Sequence, residues 1–295
     1  MRSSQAGAAP LASVVIPAHN EASVIGRTLA TLTTGVAPGE LDIVVVCNGC
    51  TDDTVSAARG VPGVRVREIP EPGKSRAVAV GNRMTTVFPR VHLDADVEIG
   101  GVDVLALVAA VRDRGVLAAG PVRRMPLERS SWPVRAYYRV WQQLPQVSRG
   151  LFGRGVFALS EEGQARVDAL PTVMGDDLAI SDAFADHERT VVQDAAVVVH
   201  PPRTIGDLVR RRTRVATGNA QAADLGVRRP DSVTTPRTML RVGLRDPRAG
   251  LCLPVFLGVS LFAKWQARAA VRTGDFDTWL RDESSRAPAG GPGRE

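Results

Sequence analysis

The chain has 295 residues, 44% hydrophobic and 23% charged, enough apolar matter for a sizeable core, and this excludes global disorder, collagen-like repeats, coiled coils and low-complexity architectures. The net charge of +6 is uneven: residues 203–248 carry eleven Arg against four Asp, so the rest of the chain is close to neutral. Three cysteines, Cys47, Cys50 and Cys252, are too few for a disulfide framework and point to a reducing, cytoplasmic setting.

In chain order, the β-branched run Ser13 to Pro17 predicts a strand, and Val24, Ile25, Leu29 and Leu32 space a helix over 21–32. Leu41 to Cys47 predicts a second strand. Thr51 to Arg59 reads as a helix capped by Thr51 or Asp52, and the alternation of Val64 to Ile69 as a third strand. A helix over Lys74 to Met84, a strand over Arg90 to Leu93 and a helix over Val102 to Arg112 follow. This β-α-β rhythm implies an α/β fold with a mostly parallel sheet flanked by helices, whose ligands sit beyond the carboxyl ends of the strands. Those ends collect His19, Asn20 and Glu21, then Asn48, then Asp94 and Asp96.

Further along, an aromatic helix is predicted over Trp132 to Leu144, a strand at Val156 to Leu159, two strands at Thr190 to Gln193 and Ala196 to His200, and a basic helix over Ile205 to Ala223. Trp132, Tyr137, Tyr138 and Trp141 suit either the core of that helix or stacking on a sugar or lipid. From Ala249 to Ala263 the chain is uncharged for fifteen residues, short of the roughly 20 a spanning helix needs. With arginines before it and Lys264, Trp265 and Arg268 after it, it reads either as a buried C-terminal helix or as one lying in a membrane interface. The last residues, rich in Pro, Gly and Arg, read as a tail. The boundaries drawn on this basis are an N-terminal segment 1–11, a catalytic domain 12–225, a basic and apolar helical extension 226–283 and a tail 284–295.

The chemistry starts with Asp94-Ala95-Asp96, which places two carboxylates in a turn where hard oxygen ligands suit Mg²⁺ or Mn²⁺ bridging a diphosphate. Gly73, Lys74 and Arg76 open a helix with a positive N-terminal end and two cations. Asp176-Asp177 reads either as a helix cap or as a general base.

The residues resemble a known family, the inverting glycosyltransferases of family 2 with the nucleotide-sugar-binding GT-A fold. The resemblance rests on blocks in order: VVIPAHNE (Val14 to Glu21), IVVVCNGCTDDT (Ile43 to Thr54), GKSRAVAVGN (Gly73 to Asn82), LDAD (Leu93 to Asp96) and GDD (Gly175 to Asp177). It implies that Pro17, Ala18 and Glu21 contact the nucleoside, that Asn48 stands at the base-binding position, and that Lys74 and Arg76 help hold the nucleotide sugar. Cys47 and Cys50 replace an Asp and a Ser of the usual Asp-Asp-Gly-Ser pattern, so uracil is expected as the base only by analogy. By the same resemblance Asp94 faces the nucleotide sugar and the metal, Asp96 binds the metal, and Asp177, beside Asp176, is the base. His200, at the end of its strand before Pro201, reads either as a further metal ligand, as in some GT-A enzymes, or as an ordinary strand-end histidine. Arg211-x-x-Arg214-Val215-x-x-Gly218 is similar to the Gln-x-x-Arg-Trp-x-x-Gly block of processive members, with Arg for Gln and Val for Trp. Arg211 and Arg214 are thus expected at a diphosphate or acceptor phosphate, with Trp141 as an acceptor-stacking residue.

The expected activity is metal-dependent transfer from a nucleotide-diphosphate sugar, UDP first, to a hydroxyl of a glycan, lipid-linked or small-molecule acceptor. The expected location is the cytoplasm, including the cytoplasmic face of a membrane through peripheral contact. A second reading is a catalytically weak nucleotide-sugar-binding protein that associates with membrane or protein partners through its basic C-terminal part. Nucleic acid is not expected as a partner, because no reader motif accompanies the arginines.

Overall fold

Val14, Val15 and Ile16, and facing them Ile43 to Val46, are β-branched residues that suit two covered sheet faces, and they form the centre of a parallel sheet. The computed structural model describes residues 9–171, 176–227, 229 and 234–273. Gly175 and the tail 284–295 lie outside the described residues. The chain divides into two units, residues 1–124, 154–168 and 184–199, and residues 125–153, 169–183 and 200–295. Segment 125–153 contributes to the second unit although it precedes the basic helix, because its apolar positions pack on helices from the end of the chain.

In the first unit, β1 (Ala12–Ala18), β2 (Leu41–Asn48), β3 (Val64–Ile69) and β4 (Arg90–Leu93) run parallel in the order β3-β2-β1-β4. The sheet continues through β7 (Val156–Leu159), β6 (Ala118–Arg124), β8 (Arg189–Val198) and β5 (Glu98–Ile99), with β7 antiparallel to β4 and β6. Val14, Ile16, Ile43 and Val45 share one face with α1 (Ile25–Thr33) and α4 (Gly101–Arg114). Val44 and Val46 pack on the other face with Ala77 of α3 (Lys74–Met84). There Gly81 lets the helix approach: a Cβ at Gly81 would fall 2.4 Å from Val15 Cγ1.

Three expectations change. The helix expected from Thr51 begins at Thr54 as α2 (Thr54–Arg59): the Thr51 hydroxyl meets Asn20 of the neighbouring loop, and Asp52 divides its carboxylate between the Ala22 amide there and the Thr54 amide that opens the helix. The two strands expected between 190 and 200 are one strand, β8, whose register with β6 slips between Pro121 and Val122, so that Gln193 to Ala195 bulge out. Strand β6 and helix α7 (Glu161–Asp168) were not anticipated. Ala118-Ala119-Gly120-Pro121 lacks the β-branched residues that mark a strand, and its pairing depends on partners far away in sequence.

The second unit is helical: α5 (Trp132–Trp141), α6 (Pro145–Arg149), α8 (Asp176–Asp182), α9 (Ile205–Asp224), α10 (Pro236–Arg245) and α11 (Pro247–Thr273). Its core joins Val134, Tyr137 and Val140 to Leu208, Val242, Phe256 and Val259. The aromatic helix is therefore mainly a packing element. Tyr137 is fully buried and stacks on Phe256 with centroids 5.0 Å apart, and Tyr138 meets Trp141 edge to face at 5.5 Å.

Candidate active site

The loops after β1 and β2 are laced together before any ligand is considered. Asn20, at φ 52°, accepts the Thr51 amide on its side-chain oxygen at 2.8 Å. Asp52 accepts the Ala22 amide at 3.1 Å, and the Thr54 hydroxyl accepts the Glu21 amide at 2.8 Å. Partial burial works to raise the Asp52 carboxyl, but hydrogen bonds from Thr54 and Ala22 outweigh it and hold the group below its ordinary range. Glu21 is buried, and its carbonyl accepts the amides of Val24 and Ile25 to begin α1. Pro17 is half-buried and Ala18 fully buried in β1.

Asn48 ends β2 with only 2% of its surface exposed. Its side-chain amide donates to the Ala18 carbonyl at 2.8 Å and its side-chain oxygen accepts the Gly73 amide at 2.9 Å. His19 Nδ1 lies 2.6 Å from the Asn48 carbonyl. The side chain expected to read the base thus ties β1, β2 and the start of α3 into one frame. Cys47 beside it is buried, and that burial, with Cys50 adding to it, pushes its thiol up to about 12, so it stays protonated at neutral pH. This fits apolar filler rather than a redox partner.

The acidic turn follows β4. Asp94 and Asp96 are half-buried and alternate with buried Ala95 and Val97, which presents both carboxylates from one turn. Three bonds fix it: the Asp94 amide donates to Gly155 O at 2.8 Å, the Val97 amide to Asp94 O at 3.2 Å and the Thr28 hydroxyl to Ala95 O at 2.8 Å. Gly155, at φ +66°, is required here, because a Cβ would fall 2.4 Å from Val97 Cγ2 and 3.2 Å from Asp94 Oδ2. Lys74, the first residue of α3, reaches Asp94 with Nζ 2.9 Å from Oδ1. Arg76 instead pairs with Glu71 at 3.4 Å on the exposed rim. Sequence reasoning missed Gly155 as a site residue; its signal was a glycine immediately before a strand, a position where a backbone often approaches a functional side chain.

Among the described residues no three of His, Cys, Asp and Glu gather closely enough to hold a metal by themselves. Two adjacent carboxylates, one already facing a cation, fit Mg²⁺ or Mn²⁺ in the mode where substrate phosphates and water complete the shell.

In the second unit, Asp177 lies in the first turn of α8 and its Oδ2 accepts the Gly153 amide at 2.7 Å. Ser181, one turn later, accepts the Leu151 amide at 3.0 Å, so α8 is fixed along one side to the 151–153 segment. Asp176 opens the helix. Half-buried Trp141 packs beside Gly153, where a Cβ would meet its ring at 3.6 Å. On α9, Arg211 Nη1 lies 3.4 Å from the His200 carbonyl and Arg214 is half-buried, while the Arg212 guanidinium sits 5.7 Å over the Tyr137 ring.

The sequence profile of glycosyl transferase family 2 matches residues 13–156, a span that holds both laced loops, α3, the acidic turn and Gly155. Residues 13–156 belong to glycosyl transferase family 2. The Gly175 to Asp177 block and α9 lie outside the matched span of this domain. A search of curated proteins by sequence finds no match.

Among solved structures, the chain is similar to the mannosyltransferase PcManGT from Pyrobaculum calidifontis, in complex with GDP-Man and Mn²⁺, at TM-score 0.61 and 22% identity over 95% of this chain and 85% of that one. It is also similar to glucosyl-3-phosphoglycerate synthase from Mycobacterium tuberculosis, in complex with Mn²⁺, UDP-glucose and phosphoglyceric acid, at TM-score 0.54 and 23% identity over 72% of this chain and 79% of that one. The fold is GT-A, as the resemblance implied.

Proposed function

We propose that the protein transfers a sugar from a nucleoside-diphosphate sugar, with UDP as the first carrier to test, to a hydroxyl of a glycan, lipid-linked or small-molecule acceptor, inverting the anomeric centre. The observation that carries this reading is the Asp94-Ala95-Asp96 turn at the end of β4, held by Gly155 and faced by Lys74, inside the span matched to family 2. The two similar structures, complexes with GDP-mannose and with UDP-glucose, both with Mn²⁺, support a nucleoside-diphosphate donor and leave both bases in the screen.

Asp94 and Asp96 are the proposed holders of Mg²⁺ or Mn²⁺, which when bound supplies positive charge against the departing diphosphate. His200 is the proposed additional ligand. Lys74 is proposed to move between Asp94 and the diphosphate oxygens, and Arg211 and Arg214 to bind diphosphate or acceptor phosphate. Arg76, Pro17, Ala18 and Glu21 shape the nucleoside side, and Trp141 offers an aromatic face to an acceptor sugar.

Asp177 is the proposed base, with Asp176 beside it. The Gly153 amide orients its carboxylate through Oδ2. The carboxylate takes the proton of the acceptor hydroxyl as that oxygen bonds to the anomeric carbon, and the bond from that carbon to the diphosphate oxygen breaks with its electron pair leaving on the nucleoside diphosphate.

The test is a screen of UDP-, GDP- and dTDP-sugars by calorimetry and nucleotide release, with and without Mn²⁺, on wild type and Asp177→Asn. The expected outcome is metal-dependent binding to both proteins, with release slowed roughly 10²- to 10⁴-fold in the variant. Absence of binding to any nucleotide sugar would overturn the reading.

A further inference from the structure

Helix α11 divides sharply into two sides. Phe256, Val259, Ala263 and Ala267 are buried, and the helix packs against α5 and α9. At 100° per residue, Leu251, Pro254, Gly258, Leu261 and Trp265 fall on the opposite side, where every one of them is exposed. Leu251 is 83%, Leu261 63% and Trp265 64% exposed, and Phe262 stacks on Trp265 with centroids 5.7 Å apart. This apolar stripe spans 15 residues, about 21 Å of helix.

Helix α10 extends the same character. Gly243 and Gly250 bring the two helices together, a Cβ at Gly250 falling 3.4 Å from Gly243 Cα. Met239 and Val242 face the core, while Leu240 and Leu244, one turn apart, are 64% and 74% exposed. Exposed Arg237, Arg241 and Arg245 form the neighbouring row, and Arg248, Lys264 and Arg268 stand at the two ends of the α11 stripe. Within residues 236–268 these six cations meet a single acid, Asp246, which accepts from Gln143 at 2.9 Å and pairs with Arg139 at 3.5 Å in its own unit.

We propose that the outer face of α10 and α11 docks on an anionic lipid bilayer, lying in its interface. Leucines with an aromatic pair enter the acyl boundary while flanking arginines and lysine reach headgroup phosphates, the arrangement that favours interfacial helices. A second copy of the chain on this face would bring two like-charged rims together, whereas anionic headgroups neutralise them. By length and composition the stretch Pro247–Arg268 is enough to cross a membrane. One side of it is committed to protein, however, and Gln266 there accepts from the Thr213 hydroxyl of α9 at 2.9 Å, so the helix is placed along the surface rather than through it. This inference does not rest on sugar transfer, and its test contains no donor.

The experiment is flotation of the full chain with phosphatidylcholine vesicles, with and without about one-third phosphatidylglycerol. The expected result is binding to the anionic vesicles that falls with salt and is released by alkaline carbonate, with quenching of Trp265 by lipids brominated in the acyl chain that Trp265→Phe removes. Arg237→Gln, Arg241→Gln and Arg245→Gln together should weaken binding roughly a hundredfold. Leu251→Asp with Leu261→Asp should abolish it while far-UV circular dichroism and melting stay as in wild type. Equal binding to neutral vesicles, resistance to carbonate, or no vesicle binding together with a dimer that Leu261→Asp dissociates would each overturn the proposal, the last in favour of a second copy.

Discussion

Lys74 Nζ lies 2.9 Å from Asp94 Oδ1, so the first residue of α3 and the first acid of the turn after β4 neutralise each other across twenty residues of chain. A cation entering the turn must displace this ammonium. Lys74→Met removes the competitor and should tighten Mn²⁺ binding to the free protein roughly two- to fivefold, the scale of a partly exposed ion pair. The same change should weaken UDP binding in the presence of Mn²⁺ by about tenfold, because a charge-assisted phosphate contact is lost. Mn²⁺ titration followed by electron paramagnetic resonance, beside calorimetry with UDP, separates the two effects; parallel weakening of both would rule the competition out.

Asn48 holds two backbone groups that water cannot reach easily. Asn48→Ala leaves the Ala18 carbonyl and the Gly73 amide without that partner and should cost about 2–4 kcal/mol in urea unfolding. Asn48→Asp keeps the acceptor for Gly73 but turns a carboxylate oxygen toward the Ala18 carbonyl, so it should destabilise as well. A stable Asn48→Asp protein with altered base preference would add to this bracing the base-reading role proposed from its sequence position.

Gly155 sits where no side chain fits, so Gly155→Ala should destabilise by about 1–3 kcal/mol through steric strain and the left-handed backbone. Because the atoms it meets belong to Val97 and Asp94, Mn²⁺ affinity should fall with stability. Gly115 is also left-handed but has open space for a Cβ, so Gly115→Ala should lower stability without changing Mn²⁺ affinity.

The Cys47 thiol ionises near 12 in the folded protein against an ordinary value of 9.0. The unfolded chain therefore loses this proton first as pH rises. Its contribution to stability is complete below pH 9.0 and is lost progressively between 9.0 and about 12. Cys47→Ala should flatten that alkaline decline in urea midpoints. At neutral pH Cys47 should also resist alkylation in the native state while half-buried Cys50 reacts first, as mass spectrometry after brief iodoacetamide treatment would register.

Local pattern determined much of this protein. The boundaries of β3, α3 and β4 follow directly from alternation, helical spacing and apolar runs, since each of these elements reads its own few residues. The acidic turn, the cations at the start of α3 and the uncharged C-terminal run were legible for the same reason. Tertiary structure alone decided what these residues meet. Asn48 is a brace because Ala18 and Gly73 come to it from 30 and 25 residues away, and Gly155 is part of the acidic turn because β7 runs antiparallel beside β4. The aromatic helix became core because α11 brings Phe256 to Tyr137, and that same packing turns Leu251, Leu261 and Trp265 outward. Such outcomes depend on pairings between distant segments, whose geometry no local window of residues contains.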